Sequence, residues 1–314
     1  PLRRQRQMCI RDRDIGDHVD LSAPITQATL GKKNIELLNE AQCDIATIGN
    51  NEGMTISHEA LQNLYTDAQF KVICANLFDE EGHLPNHMSS SYIKEINGVR
   101  ILFVAATAPF TPFYRALDWV VTDPLEAIKD EINDHKDQYD ILIVMSHVGV
   151  FFDEKLCQEI PEIDLILGSH THHYFEHGEM NNGVLMAAAG KYGHFLGEVN
   201  LDIEDKKVTS KTACLHPLEQ LPQVETDFDS EGKALMSKPV VNHPIKLENK
   251  TDVITKTSYL LAESVYEFTN ADCTIINAGL IVKGLDSDEI TEFDIHQMLP
   301  HPINVVRVKS VSYT

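Results

Sequence analysis

Three short segments carry the side chains best suited to hold a metal ion. They are Gly49-Asn50-Asn51-Glu52, Ser146-His147-Val148-Gly149 and Gly168-Ser169-His170-Thr171-His172-His173. Asp17, in Asp14-Ile15-Gly16-Asp17, adds a carboxylate able to bridge two cations. Nitrogen and oxygen donors with no cysteine among them suit Zn, Mn, Fe or Ni better than a structural zinc knuckle. A lone histidine ordinarily satisfies a core or surface position. His170 and His172 differ, because they stand at i and i+2 just beyond a buried strand. In extended backbone they would point to one side and reach one metal or two adjacent ones. His147 ends an apolar strand, and Gly149 beside it allows a sharp turn. Gly49-Asn50 alone would mark only a turn. With His147 and His170 downstream, Asn50 reads as a ligand through its amide oxygen. His173, His177 and His194 read as surface residues or as groups behind the ligands.

The elements that must position these residues follow from hydrophobic periodicity. Each segment comes after an apolar run: Ile45-Ala46-Thr47-Ile48, Ile141-Leu142-Ile143-Val144 and Ile163-Asp164-Leu165-Ile166-Leu167. Ligands are thus delivered to strand ends, where α/β sheets build their sites. Residues 14–220 alternate helix-period and strand-period patterns, with helices expected over Leu30 to Ala41, Ser57 to Ala68 and Asp123-Pro124 to Gln138. Asn97-Gly98 between two apolar runs predicts a hairpin with a type I′ turn. From Gly183 the pattern becomes all-β. Residues 221–240, with Pro222, Pro239 and an acidic cluster, read as a linker. A second α+β domain is expected over residues 241–314, with a helix from Lys256 to Phe268 and strands at Asp272 to Asn277 and Ile303 to Lys309. That domain reads as truncated at Thr314.

The net charge of −22 argues against nucleic acid or an anionic membrane surface as partner, since both would be repelled. A small phosphorylated substrate stays compatible, because bound cations reverse the field locally. No apolar run is long enough to cross a bilayer, and the N-terminus shows no apolar secretory region. Six cysteines without close pairs read as reduced thiols, and the expected setting is the cytoplasm. Residues 1–13 carry five arginines and one aspartate, +4 against −22 for the whole chain. With no periodicity, this segment reads as a foreign or disordered extension.

Taken together, the ordered motifs resemble the calcineurin-like metallophosphoesterases, in the branch that includes bacterial and animal 5′-nucleotidases. The family's order is Asp-x-His, Gly-Asp, Gly-Asn-His-Glu, an apolar strand ending in His, then Gly-x-His-x-His. Gly16-Asp17, Gly49-Asn50-Asn51-Glu52, His147 and Gly168-Ser169-His170-Thr171-His172 match it in sequence. Asn277-Ala278-Gly279, Glu289-Ile290-Thr291 and residues 299–304 fall where the nucleotidase C-terminal domain has its turns. The resemblance implies a four-layer α/β/β/α sandwich holding two divalent metal ions (Mn, Zn, Fe or Mg). By carry-over, Asp17 bridges them, Asn50, His147 and His170 complete one shell, and His172 serves the other. The implied reaction is hydrolysis of nucleotides or related phosphomonoesters by a two-metal-activated hydroxide.

Three departures bear on that activity. The Asp-x-His motif is missing, which leaves one metal only Asp17 and His172. Asn51 stands where the family has the histidine that contacts the substrate phosphate, so Asn51 is the catalytic candidate. It can hydrogen-bond a phosphate oxygen but cannot donate a proton near neutral pH. Leu280 and Ile281 occupy the neighbourhood where nucleotide-specific relatives carry an arginine. The expectation is therefore weak or absent turnover and one tightly held metal. The alternative is a catalytically inactive metal- or nucleotide-binding module. An amidohydrolase reading of His-x-His fares badly, since that motif would come first in the chain rather than after Asn50 and His147.

Overall fold

A computed structural model describes residues 12–220, 226–242, 245–250, 253–301, 303 and 305–309. The chain divides into two units, the first formed by residues up to 18 and 34–224, the second by 19–33 and 225 onward. In chain order the elements are β1 (Arg13–Asp14), α1 (Pro24–Thr29), α2 (Lys32–Glu40), β2 (Ile45–Thr47), α3 (Asn50–Met54) and α4 (His58–Leu64). They continue with β3 (Lys71–Ile73), β4 (Leu77–Phe78), β5 (Met88–Ser89), β6 (Ser91–Ile96), β7 (Val99–Thr107), α5 (Thr111–Arg115) and β8 (Val120–Val121). Next come α6 (Pro124–Asp134), β9 (Ile141–His147), α7 (Val150–Glu159), β10 (Leu165–Gly168), β11 (Glu179–Asn181) and β12 (Val184–Ala187). A long hairpin, β13 (Phe195–Glu204) and β14 (Lys207–Pro217), completes the first unit.

Two sheets carry the first unit. One has the order β1-β2-β3-β5, parallel throughout. The other has the order β11-β12-β10-β9-β7-β6, parallel in its middle, with β6 and β11 antiparallel at the edges. The strand period of two sorts the side chains of the larger sheet into two cores. Ile101, Phe103, Ala105, Ile141, Ile143, Met145, Leu165 and Leu185 pack against Ile45 and Ile73 of the smaller sheet. Leu102, Val104, Ala106, Leu142, Val144, Ile166, Val184 and Met186 pack against Leu125, Ile128 and Ile132 of α6 and Leu156 and Cys157 of α7. This is the expected sandwich of two sheets between helices. Asp123 caps α6 by accepting from Leu125 and Glu126 N–H, as the Asp-Pro order predicts.

The hairpin at Asn97-Gly98 forms as expected, with φ of 54° and 79° at the two turn residues. The helix expected from Leu30 begins two residues later. Leu30 and Gly31 take left-handed backbone and separate α1 from α2. Arg13, expected to lie outside the fold, pairs with Ile45 in the sheet, bonds Asp44 and covers the Phe103 ring. Residues 1–11, the rest of that segment, lie outside the described residues. So does Cys9; the free cysteines described are Cys43, Cys74, Cys157, Cys214 and Cys273.

In the second unit, α8 (Phe228–Leu235) lies within the segment read as a linker, whose residues 221–225 are outside the described ones. Gly232 of α8 admits the backbone of Pro24 and Ile25, where a Cβ would meet Ile25 N at 2.4 Å. Strand β15 (Pro239–Val241) pairs with β18 (Ile290–Thr291), and β16 (Ile245–Leu247) with β17 (Leu285–Ser287). The unit's other helices are α1, α9 (Lys256–Thr269) and α10 (Glu292–Met298). The strands expected at Asp272 to Asn277 and Ile303 to Lys309 do not form among the described residues. Their apolar side chains find no ladder: Ile275 is 93% exposed and Val308 78%.

Leu142 lies in a strand buried on both faces. Leu142→Ala should therefore lower stability to unfolding by about 2–5 kcal/mol. Urea titration of the metal-free protein would test this, and a midpoint within error of the parent's would contradict the packing described.

Candidate metal centre

Four strand ends converge on one cluster. Asp17 lies just past β1, Asn50 opens α3 just past β2, His147 is the last residue of β9, and His170 lies two residues past β10. The Asp17, His147 and His170 ligand atoms all fall within 4.8 Å of one another. His147 Nε2 stands 3.2 Å from Asp17 Oδ2. The His147 and His170 rings are 5.4 Å apart at their centroids. Asn50 joins through its Oδ1, which accepts a hydrogen bond from His170 Nδ1 at 2.8 Å.

Backbone geometry makes this approach possible. Gly16, at φ +83°, and Gly49 pack main chain against main chain; a Cβ on Gly16 would meet Gly49 N at 2.3 Å. A Cβ on Gly49 would meet Asp17 Oδ1 at 2.2 Å and His147 Cε1 at 2.6 Å. The two loops are also pinned by Glu52, which is 1% exposed. Its Oε2 accepts from Gly49 N–H at 2.8 Å and from Asp17 N–H at 3.0 Å. In return, Asn51 N–H donates to Asp17 Oδ1 at 2.7 Å. Glu52 stands three residues into the turn after Gly49, a spacing that reads as a capping box. That spacing is a signal in the sequence that could have found Glu52, which the motif reading left without a role.

The donor set fits a divalent cation. His147 is fully buried, and its Nδ1–H donates to Ile15 O, which aims Nε2 at the cluster. Nε2 is buried without a well-directed hydrogen bond, despite the carboxylate 3.2 Å away. A buried nitrogen left in this state is costly unless something completes it. A cation shared with Asp17 and His170 would do so. Burial pushes the Asp17 carboxyl up, but His147 and then Asn51 N–H outweigh it and hold it below the usual range. Burial likewise pushes His147 down, and Asp17 more than offsets that, leaving the imidazole above its ordinary value. His170 is pushed down by burial and then by the charge of His147.

Not every expected residue enters the cluster. His172 is exposed and outside the group of converging ligands. The reason is local: His170 and His172 have φ of 74° and 56°. Their backbone is left-handed, not extended, so the same-side geometry expected of an i, i+2 pair does not apply. Asn51 lies at the cluster's edge, its Oδ1 accepting from Asn50 Nδ2 at 3.4 Å. His173 Nδ1 pairs with Thr171 Oγ1 at 2.8 Å, outside the cluster.

Behind the cluster lies Asp153, in the first turn of α7 and 1% exposed. Its Oδ1 has no hydrogen-bond partner among the described residues. Burial pushes its carboxyl up to about 7, against the Ser146 hydroxyl and the charge of His147.

The chain matches the Calcineurin-like phosphoesterase family over residues 14–174. It is 40% identical over 306 residues to "Uncharacterized metallophosphoesterase YunD" of Bacillus subtilis (strain 168), covering 94% of this chain and 66% of that protein. The chain therefore spans just under two thirds of YunD's length. Among solved structures, a putative 5′-nucleotidase from Staphylococcus aureus superposes with a TM-score of 0.72 at 15% identity, covering 93% of this chain and 63% of that one. A 5′-nucleotidase precursor from Thermus thermophilus superposes with a TM-score of 0.58 at 16% identity, covering 92% and 73%. At these identities the solved structures speak for the fold alone.

Two outcomes follow from the geometry. Gly49→Ala should cost about 1–3 kcal/mol of stability, because its methyl overlaps Asp17 and His147. It should also weaken metal binding, read by calorimetric titration; parental affinity would contradict the close approach. For Asp153 the folded value lies above the unfolded one, so this group's contribution to stability is fully present below about pH 4 and is lost as pH rises through about 7. The loss from this group is on the order of 4 kcal/mol. Asp153→Asn in the metal-free protein should flatten that part of the pH–stability curve, and an unchanged slope would count against it.

Proposed function

Because the chain belongs to the calcineurin-like phosphoesterase family, we propose that it is a metal-dependent phosphohydrolase acting on nucleotides or related phosphomonoesters, with its turnover held low by Asn51. The observation that carries this reading is the convergence of Asp17, His147 and His170, with a buried imidazole nitrogen left for a cation to complete. Asp17, Asn50, His147 and His170 would hold that cation. Divalent cations in such sites supply Lewis acidity and acidify a bound water toward neutral pH. Asp17 is kept ionised in place by Asn51 N–H, and His147 is kept in one tautomer by Ile15 O. Asn51 offers a phosphate oxygen one amide donor, but no proton for the leaving group. For a second cation this chain offers Asp17 and His172, so one ion is held tightly and the other weakly.

We take the nucleotide from the names of the solved neighbours described as 5′-nucleotidases, whose likeness to this chain is one of fold. Cations at the cluster would draw a phosphate to a chain of net charge −22. The second reading, a binding module without turnover, is favoured by Asn51 and by the exposed His172.

Phosphate release from nucleoside monophosphates and p-nitrophenyl phosphate, with added Mn, decides between them. We expect slow turnover in the parent, faster with the better leaving group, and none in His170→Ala. Asn51→His should raise turnover on nucleotides by on the order of 100-fold, as a restored proton donor does. If His170→Ala retains the parent's rate, the phosphohydrolase reading fails. Tight metal binding without turnover in the parent or in Asn51→His would favour the binding module.

A further inference from the structure

The hairpin of β13 and β14 carries a second set of ligand-type side chains. Its strand period sends Val199, Leu201, Val208 and Ala213 to the core between the sheets. The alternate positions face outward, and there Glu198 stands directly opposite Cys214. His216 lies two residues along the same face. The three reach one another: His216 Nε2 is 2.7 Å from Glu198 Oε2, Cys214 Sγ is 3.4 Å from His216 Nε2, and Cys214 Sγ is 3.9 Å from Glu198 Oε2.

We propose that Glu198, Cys214 and His216 form a binding site for a thiophilic divalent cation, zinc in the first instance, sharing no residue with the Asp17 cluster. A tetrahedral zinc ion with bonds of about 2.0–2.3 Å spaces its ligand atoms by about 3.3–3.6 Å. The two separations involving sulfur already lie within about 0.3 Å of that range. The third is short because His216 and Glu198 are hydrogen-bonded; a cation takes that proton's place at Nε2, the imidazole carries its proton on Nδ1 instead, and the pair opens by about 0.6 Å. Asn200 prepares the carboxylate: its Nδ2 donates to Glu198 Oε1 at 2.9 Å, leaving Oε2 to face the thiol and the imidazole. Ligating carboxylates are commonly oriented by such a partner. Three protein ligands leave the fourth position to water. Binding releases the thiol proton of Cys214 to solvent, so affinity rises with pH.

Cobalt distinguishes this site from the first, because a thiolate ligand gives a charge-transfer band in the near ultraviolet and Asp17, Asn50, His147 and His170 include no sulfur. The 314-residue chain, stripped with a chelator and kept reduced, is titrated with Co²⁺. We expect the band in the parent, in His170→Ala and in Cys273→Ser, its loss in Cys214→Ser, and its displacement by Zn²⁺. Cobalt binding without the band, or a band that survives Cys214→Ser, overturns the proposal. Glu198→Gln serves as a second variant that leaves the thiol in place. It should weaken cobalt affinity beyond the roughly 10–100-fold that loss of a supporting residue costs. Unchanged affinity would reduce the cluster to a hydrogen-bonded triad.

Discussion

The site rests on one buried carboxylate. Glu52 is withdrawn from water, and its Oε2 accepts from the backbone N–H groups of Asp17 and Gly49. A buried carboxyl group of this kind is costly unless donors meet it. Here the donors belong to the two loops that must meet. The cost of burial thus becomes a constraint that holds the loop after β1 against the loop after β2. The position at the start of α3 adds the favourable end of a helix dipole. Asn51 N–H, donating to Asp17, closes the arrangement from the other side. With these bonds made, Asp17 has little freedom, and its carboxylate is presented to His147 rather than to solvent.

Electrostatics then divides the three converging ligands by readiness. Asp17 is ionised, because His147 and Asn51 N–H outweigh its burial. His170 is biased toward its neutral form, by burial and then by the charge of His147. His147 alone is held toward the charged form, by Asp17. The metal-free cluster therefore sets a carboxylate beside one imidazole biased toward protonation and one biased away from it, and a cation held there would exchange with a proton at His147. The acidic balance of the whole chain favours that exchange by concentrating cations near its surface.

How much of this was legible in the sequence varied with the physical cause. Asn50, His147 and His170 stood out as candidates because each lies at or just past the end of an apolar strand, and strand ends in α/β sheets converge. The near-continuous apolar runs of Val99–Thr107 and Ile141–His147 leave no polar face, and the two cores occupy both sides of these strands. His172 illustrates the limit. Its side was inferred from extended backbone, but the strand stops at Gly168 and the chain turns through left-handed conformations. Nothing in the residue types forces that turn. Asp153 was missed for a related reason: an acid in a helix's first turn is ordinary. Only the fold buries it behind β9 and β10. The strands expected near Ile275 and Val308 failed because propensity supplies no pairing partner.

The register of β9 shows why so few residues decide the chemistry. Its pairing with β7 sets Thr107 opposite His147, and its pairing with β10 sets Gly168 opposite Ser146. A slip of one residue would reverse the faces of Leu142, Ile143 and Val144 together, forcing each core to accept the other's side chains. The apolar packing that forbids this slip is the same packing that delivers His147 to the cluster. The geometry of the candidate cluster is therefore enforced by hydrophobic contacts along the whole of β9. A side chain at a strand's end inherits its position from residues that never reach the cluster.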